Sequence, residues 1–292
     1  MPRPPVHLDA VMLEARAGFL ARRSVNGEAE RGGIEILVAC LDLTTLEGKD
    51  TPQRIESLCA RARRPAPGLR AVAAVCVYPS HVATAKAALT GSGVRVASVA
   101  TAFPSGQAPL DVKLAETRAA IAAGADEIDM VIDRGRFLCG DDAAVVREIE
   151  LVKAACEGAA LKVILEAGEL GSYVSIRRAS DLALVAGADF IKTATGKIGV
   201  GSTPPIALVM CEAIRDHERR TGRAAGLKLA GGVRTAKSAL GYLALVHETL
   251  GDAWMRPSRF RIGASALLDE LQLRRDDERS TAEAGGVRAA SE

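Results

Sequence analysis

From residue 34 onward, short apolar runs rich in β-branched residues alternate with longer stretches in which apolar positions return every three or four residues. The short runs read as strands buried on both faces, and the longer stretches as amphipathic helices that cover them. The runs are IEILVACL (34–41), RAVAAVCV (70–77), VRVASVAT (94–101), DEIDMVI (126–132), LKVILEA (161–167), DFIKTA (189–194), GLKLAGG (226–232) and RFRIGA (259–264). Predicted helices include 51–63, 111–123, 143–156, 203–220 and 235–250, with Thr51-Pro52, Asp111, Thr203-Pro204 and Thr235 as start signals. Eight β-α units within residues 34–273 match a (β/α)8 TIM barrel, which takes roughly 250 residues. A doubly wound open sheet is the competing α/β architecture, but no strand is followed by a G-x-G-x-x-G turn.

The two ends read differently. Residues 7–20 place Leu8, Met12, Ala15 and Phe19 on one helical face, which predicts an extra N-terminal helix packed on the barrel, with the barrel bottom as its expected seat. RRSVNGEAERGG (22–33) reads as a flexible linker, and the polar stretch after 273 as a disordered tail. The expected division is therefore 1–33 for the helix and linker, 34–273 for the barrel and 274–292 for the tail.

Composition narrows the function. Thirty-eight Lys+Arg against 36 Asp+Glu leave a formal charge of +2, and no basic block carries interleaved aromatics, which argues against nucleic acid as a partner. No apolar run reaches membrane-spanning length and the N-terminus lacks a signal-peptide core, so no membrane is expected; Asp9 and Glu14 count against a transit peptide. The six cysteines lie in apolar segments without C-x-x-C pairs, as small buried hydrophobes do in a reducing compartment, and point to the cytoplasm. His7, His81, His217 and His247 fall in or at the starts of predicted helices, form no ligand cluster, and read as surface or packing residues; no metal site is expected. Oligomeric state is left open, a homodimer being the candidate.

Charged residues inside buried strands are the informative departure from the pattern. Asp129, Lys162, Lys192 and Lys228 each lie mid-strand on four consecutive predicted strands. A structural ion pair accounts for one lysine with one aspartate, but three lysines strain that reading. AGADEID (123–129) and AGADFIK (186–192) share the frame A-G-A-D-x-I followed by the charged residue, so Asp129 and Lys192 hold equivalent places on alternate strands. Alternate strands of such a barrel contribute to one interior layer, which places a carboxylate and an amine in one cavity. Positive neighbours and lost water both disfavour the ammonium form. A neutral Lys192 in a dry pocket is able to attack a carbonyl and form a Schiff base, with Asp129 moving protons.

Glycine-rich turns follow the last strands: TATGK (193–197), AGGVRT (230–235) and IGASA (262–266). Barrels of this kind often bind phosphate beyond strands seven and eight, where glycine lets backbone N–H groups approach the anion. Gly231, Gly232, Gly263 and Ser265 are the candidates, with Lys197 and Arg234 supplying charge.

At LDLTTLEG, VCVYP, FPSG, GADEIDMVI, LKVILEAGEL, GADFIKTATGK, GLKLAGGVRT and RIGASALL, the chain resembles the deoxyribose-phosphate aldolase family, through most of residues 34–273. The resemblance implies a class I lyase that reversibly cleaves 2-deoxy-D-ribose 5-phosphate to D-glyceraldehyde 3-phosphate and acetaldehyde, with no cofactor. By motif, Lys192 matches the Schiff-base lysine, Lys228 the second lysine that depresses its pKa, and Asp129 the general acid/base. Asp42, Thr44 and Cys76 match pocket-lining positions, although burial explains Cys76 equally well. Lys162 matches a lysine that supports Asp129 or a substrate hydroxyl. Thr195, Lys197, Gly231, Gly232, Gly263 and Ser265 match the region that holds the sugar phosphate. Ala266 stands where many members carry a hydroxyl, a loss of roughly 1 kcal/mol in phosphate affinity. Alanine also replaces hydroxyl residues in Glu166-Ala167-Gly168 and Thr193-Ala194-Thr195, and the last tyrosine is Tyr242, so a C-terminal tyrosine found in some members is absent. The other readings are a Schiff-base aldolase for a different phosphorylated sugar, and a sugar-phosphate-binding barrel without turnover.

Overall fold

The computed structural model describes residues 8–23 and 27–276, and in it eight parallel strands close into a barrel. They are β1 (Leu41–Thr44), β2 (Ala74–Val77), β3 (Arg95–Ala100), β4 (Glu127–Val131), β5 (Ala160–Ile164), β6 (Phe190–Lys192), β7 (Gly226–Ala230) and β8 (Phe260–Gly263). Each pairs with the next, and β8 returns to β1 through Leu41–Ile262 and Asp42–Gly263. Around them lie α1 (Ala10–Ala21), α2 (Glu28–Ala39), α3 (Pro52–Arg63), α4 (Val82–Ala88), α5 (Leu110–Ala122), α6 (Arg134–Leu138), α7 (Asp142–Ala155), α8 (Tyr173–Val185), α9 (Pro204–Thr221) and α10 (Ala236–Leu250). The chain is helical again over 267–276. Thr51, Thr203 and Thr235 cap their helices by accepting from the N–H of Arg54, Ile206 and Ser238. Asp111 is instead inside the first turn of α5, which begins after Pro109.

Two apolar cores result from the alternation of side chains along each strand. The large one fills the space between strands and helices, while a small one of Leu46, Ala74, Cys76, Ala97, Val99, Phe103, Val131 and Ile164 lies separate from it. Most of the second set comes from β2 and β3 and from the upper ends of β4 and β5. The charged residues that cluster inside the barrel come from β1 and from β4 to β8.

The first predicted strand is wrong for most of its length. Residues 34–39 belong to α2, whose buried Gly33, Ile34, Leu37 and Val38 keep helical spacing, and β1 starts only at Leu41. An apolar run of this length fits a buried helix as well as a strand, and the run itself does not distinguish them. The shift moves Asp42 from a strand end to the middle of β1. The linker reading of 22–33 fails over 28–33 for the same reason, because this segment is the start of α2. Its Glu30 is buried and pairs with Arg274 at 2.6 Å, so Arg274 to Asp276, read as tail, are helical. The remainder of the predicted tail, 277–292, and positions 24–26 lie outside the described residues.

The N-terminal helix exists, but it presents the other face. Leu13, Ala17 and Leu20 are buried, whereas Met12 and Phe19 are 66% and 61% exposed. Apolar residues surround most of α1, so periodicity leaves two comparable faces, and the neighbours decide between them. The helix packs along α9 and α10 on the barrel wall rather than across the bottom, with Arg16 paired to Glu212 and the Tyr173 hydroxyl donating to Glu14 at 2.9 Å. The bottom carries instead an open cavity of about 890 Å³, lined in part by Ala73, Arg95, Ala160, Phe190, Gly226 and Arg261. Close approach of α1 to α10 depends on Gly241, where a Cβ would stand 2.5 Å from the Ala21 carbonyl oxygen. Gly241→Ala is therefore expected to destabilise the protein by about 1–3 kcal/mol, read as a lower urea midpoint at unchanged m-value. Among the described residues, no helix is long and apolar enough to cross a membrane.

Candidate active site

Strand register brings the interior charges together. Asp129 on β4 lies opposite Lys162 on β5, Lys192 on β6 opposite Lys228 on β7, and Lys228 opposite Arg261 on β8. The Nζ atoms of Lys192 and Lys228 both reach Asp129 Oδ2, at 2.7 and 2.8 Å, and Lys162 Nζ donates to Asp129 Oδ1 at 2.8 Å. Asp42 takes Lys228 Nζ at 2.5 Å on one oxygen and Arg261 at 2.6 Å on the other. Glu127, two residues before Asp129 and so on the same strand face, binds Lys162 at 2.5 Å and Arg261 at 2.6 Å. All seven groups are buried. Three carboxylates thus face four basic side chains in a space with little water, where each unpaired charge is costly.

The protonation states follow from these contacts. For Lys192, burial is the largest influence and acts with nearby Lys228 to hold its pKa below the ordinary lysine value, against the pull of Asp129. Burial also works against the charged forms of Lys162 and Lys228, but their carboxylates outweigh it and push both pKa values up. Asp129 resists burial in the same way and stays far below the usual carboxylate range because Lys162, Lys192 and Lys228 surround it. Asp42 and Glu127 are held down against burial by Arg261 and the lysines they touch. Of the three amines, Lys192 is therefore the one that gives up its proton most readily.

Apolar and small residues complete the walls. Cys76 on β2 lies with its Sγ 3.9 Å from Asp129 Oδ2, and burial, with Asp129 nearby, pushes its thiol pKa up, so it stays a neutral thiol. Gly263 on β8 leaves room for Lys228: a Cβ there would stand 3.2 Å from Lys228 Cε. Thr44 is tied to the end of β8, since Ser265 Oγ accepts from Thr44 N at 2.9 Å and donates to its carbonyl at 2.6 Å. The proton of that hydroxyl and one of its lone pairs are thereby engaged within the chain.

Above this cluster the glycine turns after β6, β7 and β8 converge. Gly231 and Gly232 both have positive φ, +76° and +83°, which favours glycine. Gly201 packs so closely on Gly231 that a Cβ would stand 2.4 Å from the Gly231 carbonyl carbon, and Ser202 N donates to Gly231 O at 2.8 Å. Among the described residues, the backbone N–H groups of Gly231, Gly232, Val233 and Arg234 have no acceptor. They form a cluster of donors just ahead of α10. Arg234 is exposed and has no ion pair among the described residues, whereas Lys197 is paired with Glu47 at 2.8 Å. Thr195 is buried beside Glu166, donating from its N–H at 3.0 Å and its hydroxyl at 2.5 Å.

Four contributors were not read from the sequence. Glu127 and Arg261 are charged residues inside predicted strands, and the same mid-strand criterion that found the lysines applies to both. Glu166 takes a left-handed φ of 53° at the end of β5, where no glycine marks the turn. Tyr242 on α10 donates to Ser202 O at 2.9 Å and so braces the turn over Gly231; no local motif signals that contact.

The chain resembles known proteins over most of its length. A family profile described as DeoC/LacD family aldolase matches residues 36–272. The chain is 46% identical over 276 residues to the deoxyribose-phosphate aldolase of Mus musculus, covering 90% of this chain and 87% of that protein. It is 47% identical to the deoxyribose-phosphate aldolase of Bos taurus, covering 86% and 83%. Among solved structures, a putative deoxyribose-phosphate aldolase from Toxoplasma gondii superposes with a TM-score of 0.76 at 25% identity, covering 88% of this chain and 98% of that one. The deoxyribose phosphate aldolase of Aeropyrum pernix, described as a unique tetramer, superposes with a TM-score of 0.66 at 28% identity, covering 83% and 95%. With the family profile spanning most of the barrel and close relatives covering both chains, this chain belongs to the DeoC/LacD aldolase family.

Proposed function

We propose that the chain is a class I aldehyde-lyase that reversibly cleaves 2-deoxy-D-ribose 5-phosphate to D-glyceraldehyde 3-phosphate and acetaldehyde, with Lys192 as the Schiff-base nucleophile. The observation that carries the reading is the pair of buried ammonium positions, Lys192 and Lys228, on one oxygen of Asp129 at 2.7 and 2.8 Å. Two amines on one acceptor do not both keep a proton easily, and the one with fewer carboxylates yields it. Neutral Lys192 Nζ attacks C1 of the open-chain aldehyde to give a carbinolamine. Loss of its hydroxyl as water leaves a protonated imine. Removal of the C3 hydroxyl proton then breaks C2–C3, and the electron pair moves into the imine to form an enamine while glyceraldehyde 3-phosphate departs. Protonation at C2 and hydrolysis release acetaldehyde and free Lys192.

Asp129 is the group through which these protons pass, with Lys228 and Lys162 as its protonated neighbours. Its low pKa makes it a weak base by itself, and the three lysines on its two oxygens support a relay rather than a single isolated base. The apolar side formed by Cys76, Ala97, Val99, Val131 and Ile164 keeps water away from the imine. The phosphate is assigned to the N–H groups of Gly231 to Arg234, which have no acceptor among the described residues, with Arg234, Lys197, Gly263 and the backbone at Ser265 around it. Thr195 holds that end through Glu166, and Thr44 lines the end of β1 opposite, with Asp42 inside the strand against Lys228 and Arg261. The reducing cytoplasm is the proposed location, in keeping with six free cysteines, five of them buried.

The test is release of acetaldehyde from 2-deoxyribose 5-phosphate by the purified protein, followed with a coupled dehydrogenase and unaffected by EDTA. Absence of acetaldehyde, or cleavage of a different sugar phosphate alone, contradicts the reading. Gly201→Ala separates the phosphate assignment from the chemistry, because its methyl displaces the Gly231 turn. Expected is a rise in KM of about 10-fold or more for the phosphorylated sugar, equivalent to losing one or two charge-assisted hydrogen bonds, with little change for unphosphorylated 2-deoxyribose. Acid dependence follows from the lowered pKa of Lys192: its neutral fraction, and with it kcat/KM, grows as pH rises through that pKa. Lys228 and Lys162, with raised values, stay protonated across the same range.

A further inference from the structure

The barrel interior holds an ion lattice larger than the three groups the chemistry needs. Around Lys192 stand Asp42 on β1, Cys76 on β2, Glu127 and Asp129 on β4, Lys162 on β5, Lys228 on β7 and Arg261 on β8, while β3 contributes Ala97 and Val99; Glu166 lies just past β5. Cys76 is a neutral thiol, and Glu166 turns to Thr195 and, among the described residues, makes no ion pair with the lysines or Arg261. The balance then lies among three carboxylates and four basic groups. Carboxylate contacts are unequal. Lys162 has Glu127 at 2.5 Å, Asp129 at 2.8 Å and Asp42 at 3.9 Å. Lys228 has Asp42 at 2.5 Å and Asp129 at 2.8 Å. Lys192 has Asp129 alone, at 2.7 Å on the oxygen shared with Lys228. A guanidinium does not give up its proton in a protein, so Arg261, between Asp42 and Glu127, is a permanent cation.

We propose that Arg261 is a positioning residue for the reaction: as the third fixed cation against three carboxylates, it makes the interior neutral when Lys192 is uncharged. Without Arg261, the same three carboxylates are balanced only if Lys192 takes up a proton. Arg261 acts from the far side of Asp42 and Glu127 and lines the bottom cavity, so it meets neither substrate nor the reacting atoms. The inference rests on the reading of Lys192 as nucleophile and adds what holds that lysine unprotonated.

The experiment follows two quantities against pH: kcat/KM for 2-deoxyribose 5-phosphate, which reports the free enzyme's ionisations, and the rate of borohydride trapping with acetaldehyde, in the wild type, Arg261→Met, Arg261→Lys, Glu127→Gln and the Glu127→Gln/Arg261→Met double variant. Arg261→Met is expected to move the acid limb up by about one pH unit, the size of one nearby charge. Arg261→Lys keeps the charge and leaves the limb in place. Glu127→Gln removes one anion and moves the limb down, and the double variant returns it towards the wild-type position. Loss of packing alone does not produce shifts of opposite sign that cancel. An unmoved limb in Arg261→Met and Glu127→Gln, or a shift of the same sign in both, overturns the inference. Should Arg261→Met fail to fold, the isosteric Glu127→Gln decides: a lower limb supports the inference and an unmoved one overturns it. Wild-type trapping at Lys192 with unmoved variant limbs overturns the inference and leaves the nucleophile standing; no adduct at Lys192 in the wild type removes both.

Discussion

Lys192→Ala is expected to cut turnover by roughly four orders of magnitude or more, because no other amine in the cavity gives up its proton readily and the covalent route is lost. The fold is expected to survive, with Tm shifted by no more than a few degrees. Lys192 is the basic group that the three carboxylates do not need, so its removal leaves Asp129 held by Lys162 and Lys228 at 2.8 Å each. Activity assays together with a thermal melt check both halves. Near-wild-type turnover contradicts the assignment, and a collapsed melt shows that Lys192 was a structural cation.

Asp129→Ala carries the opposite signature. Its removal takes away the carboxylate shared by Lys162, Lys192 and Lys228, leaving Asp42 and Glu127 to balance Lys162, Lys228 and Arg261 in the buried interior. Breaking a buried ionic group by deleting one partner costs about 3–5 kcal/mol. At two to four degrees per kcal/mol for a domain of this size, Tm falls by roughly 10 °C. Turnover falls as well, through loss of the proton relay. The contrast is the informative part: two residues in direct contact, one dispensable for stability and the other not. Equal loss of stability in both variants contradicts the charge distribution described here.

Much of the candidate site was legible in the chain because the A-G-A-D-x-I frame repeats: it put Asp129 and Lys192 at equivalent points of two β-α units, and register then joined them. Lys162 and Lys228 were visible as charges inside apolar runs. Asp42 was matched only by resemblance, because an apolar segment that is helical from Glu28 to Ala39 hid the true start of β1 and with it a third interior carboxylate. Glu127 and Arg261 stood in plain view inside strands, yet their partners come from barrel closure: Arg261 reaches Asp42 only because β8 lies against β1. Local patterns do not carry that information. The face of α1 was misread for a related reason, since a helix that is apolar nearly all round is oriented by what it meets. The phosphate turns were legible as glycine pairs, but the engagement of Ser265 with Thr44 is a contact across 221 positions that no motif encodes.

Reductive trapping at neutral pH, with acetaldehyde and borohydride followed by peptide mapping, tests the selection of one amine most directly. The expected product is a single ethyl-lysine in the peptide that contains Lys192, with Lys162 and Lys228 unmodified. An adduct on Lys228 or Lys162 instead, or none at all, contradicts it.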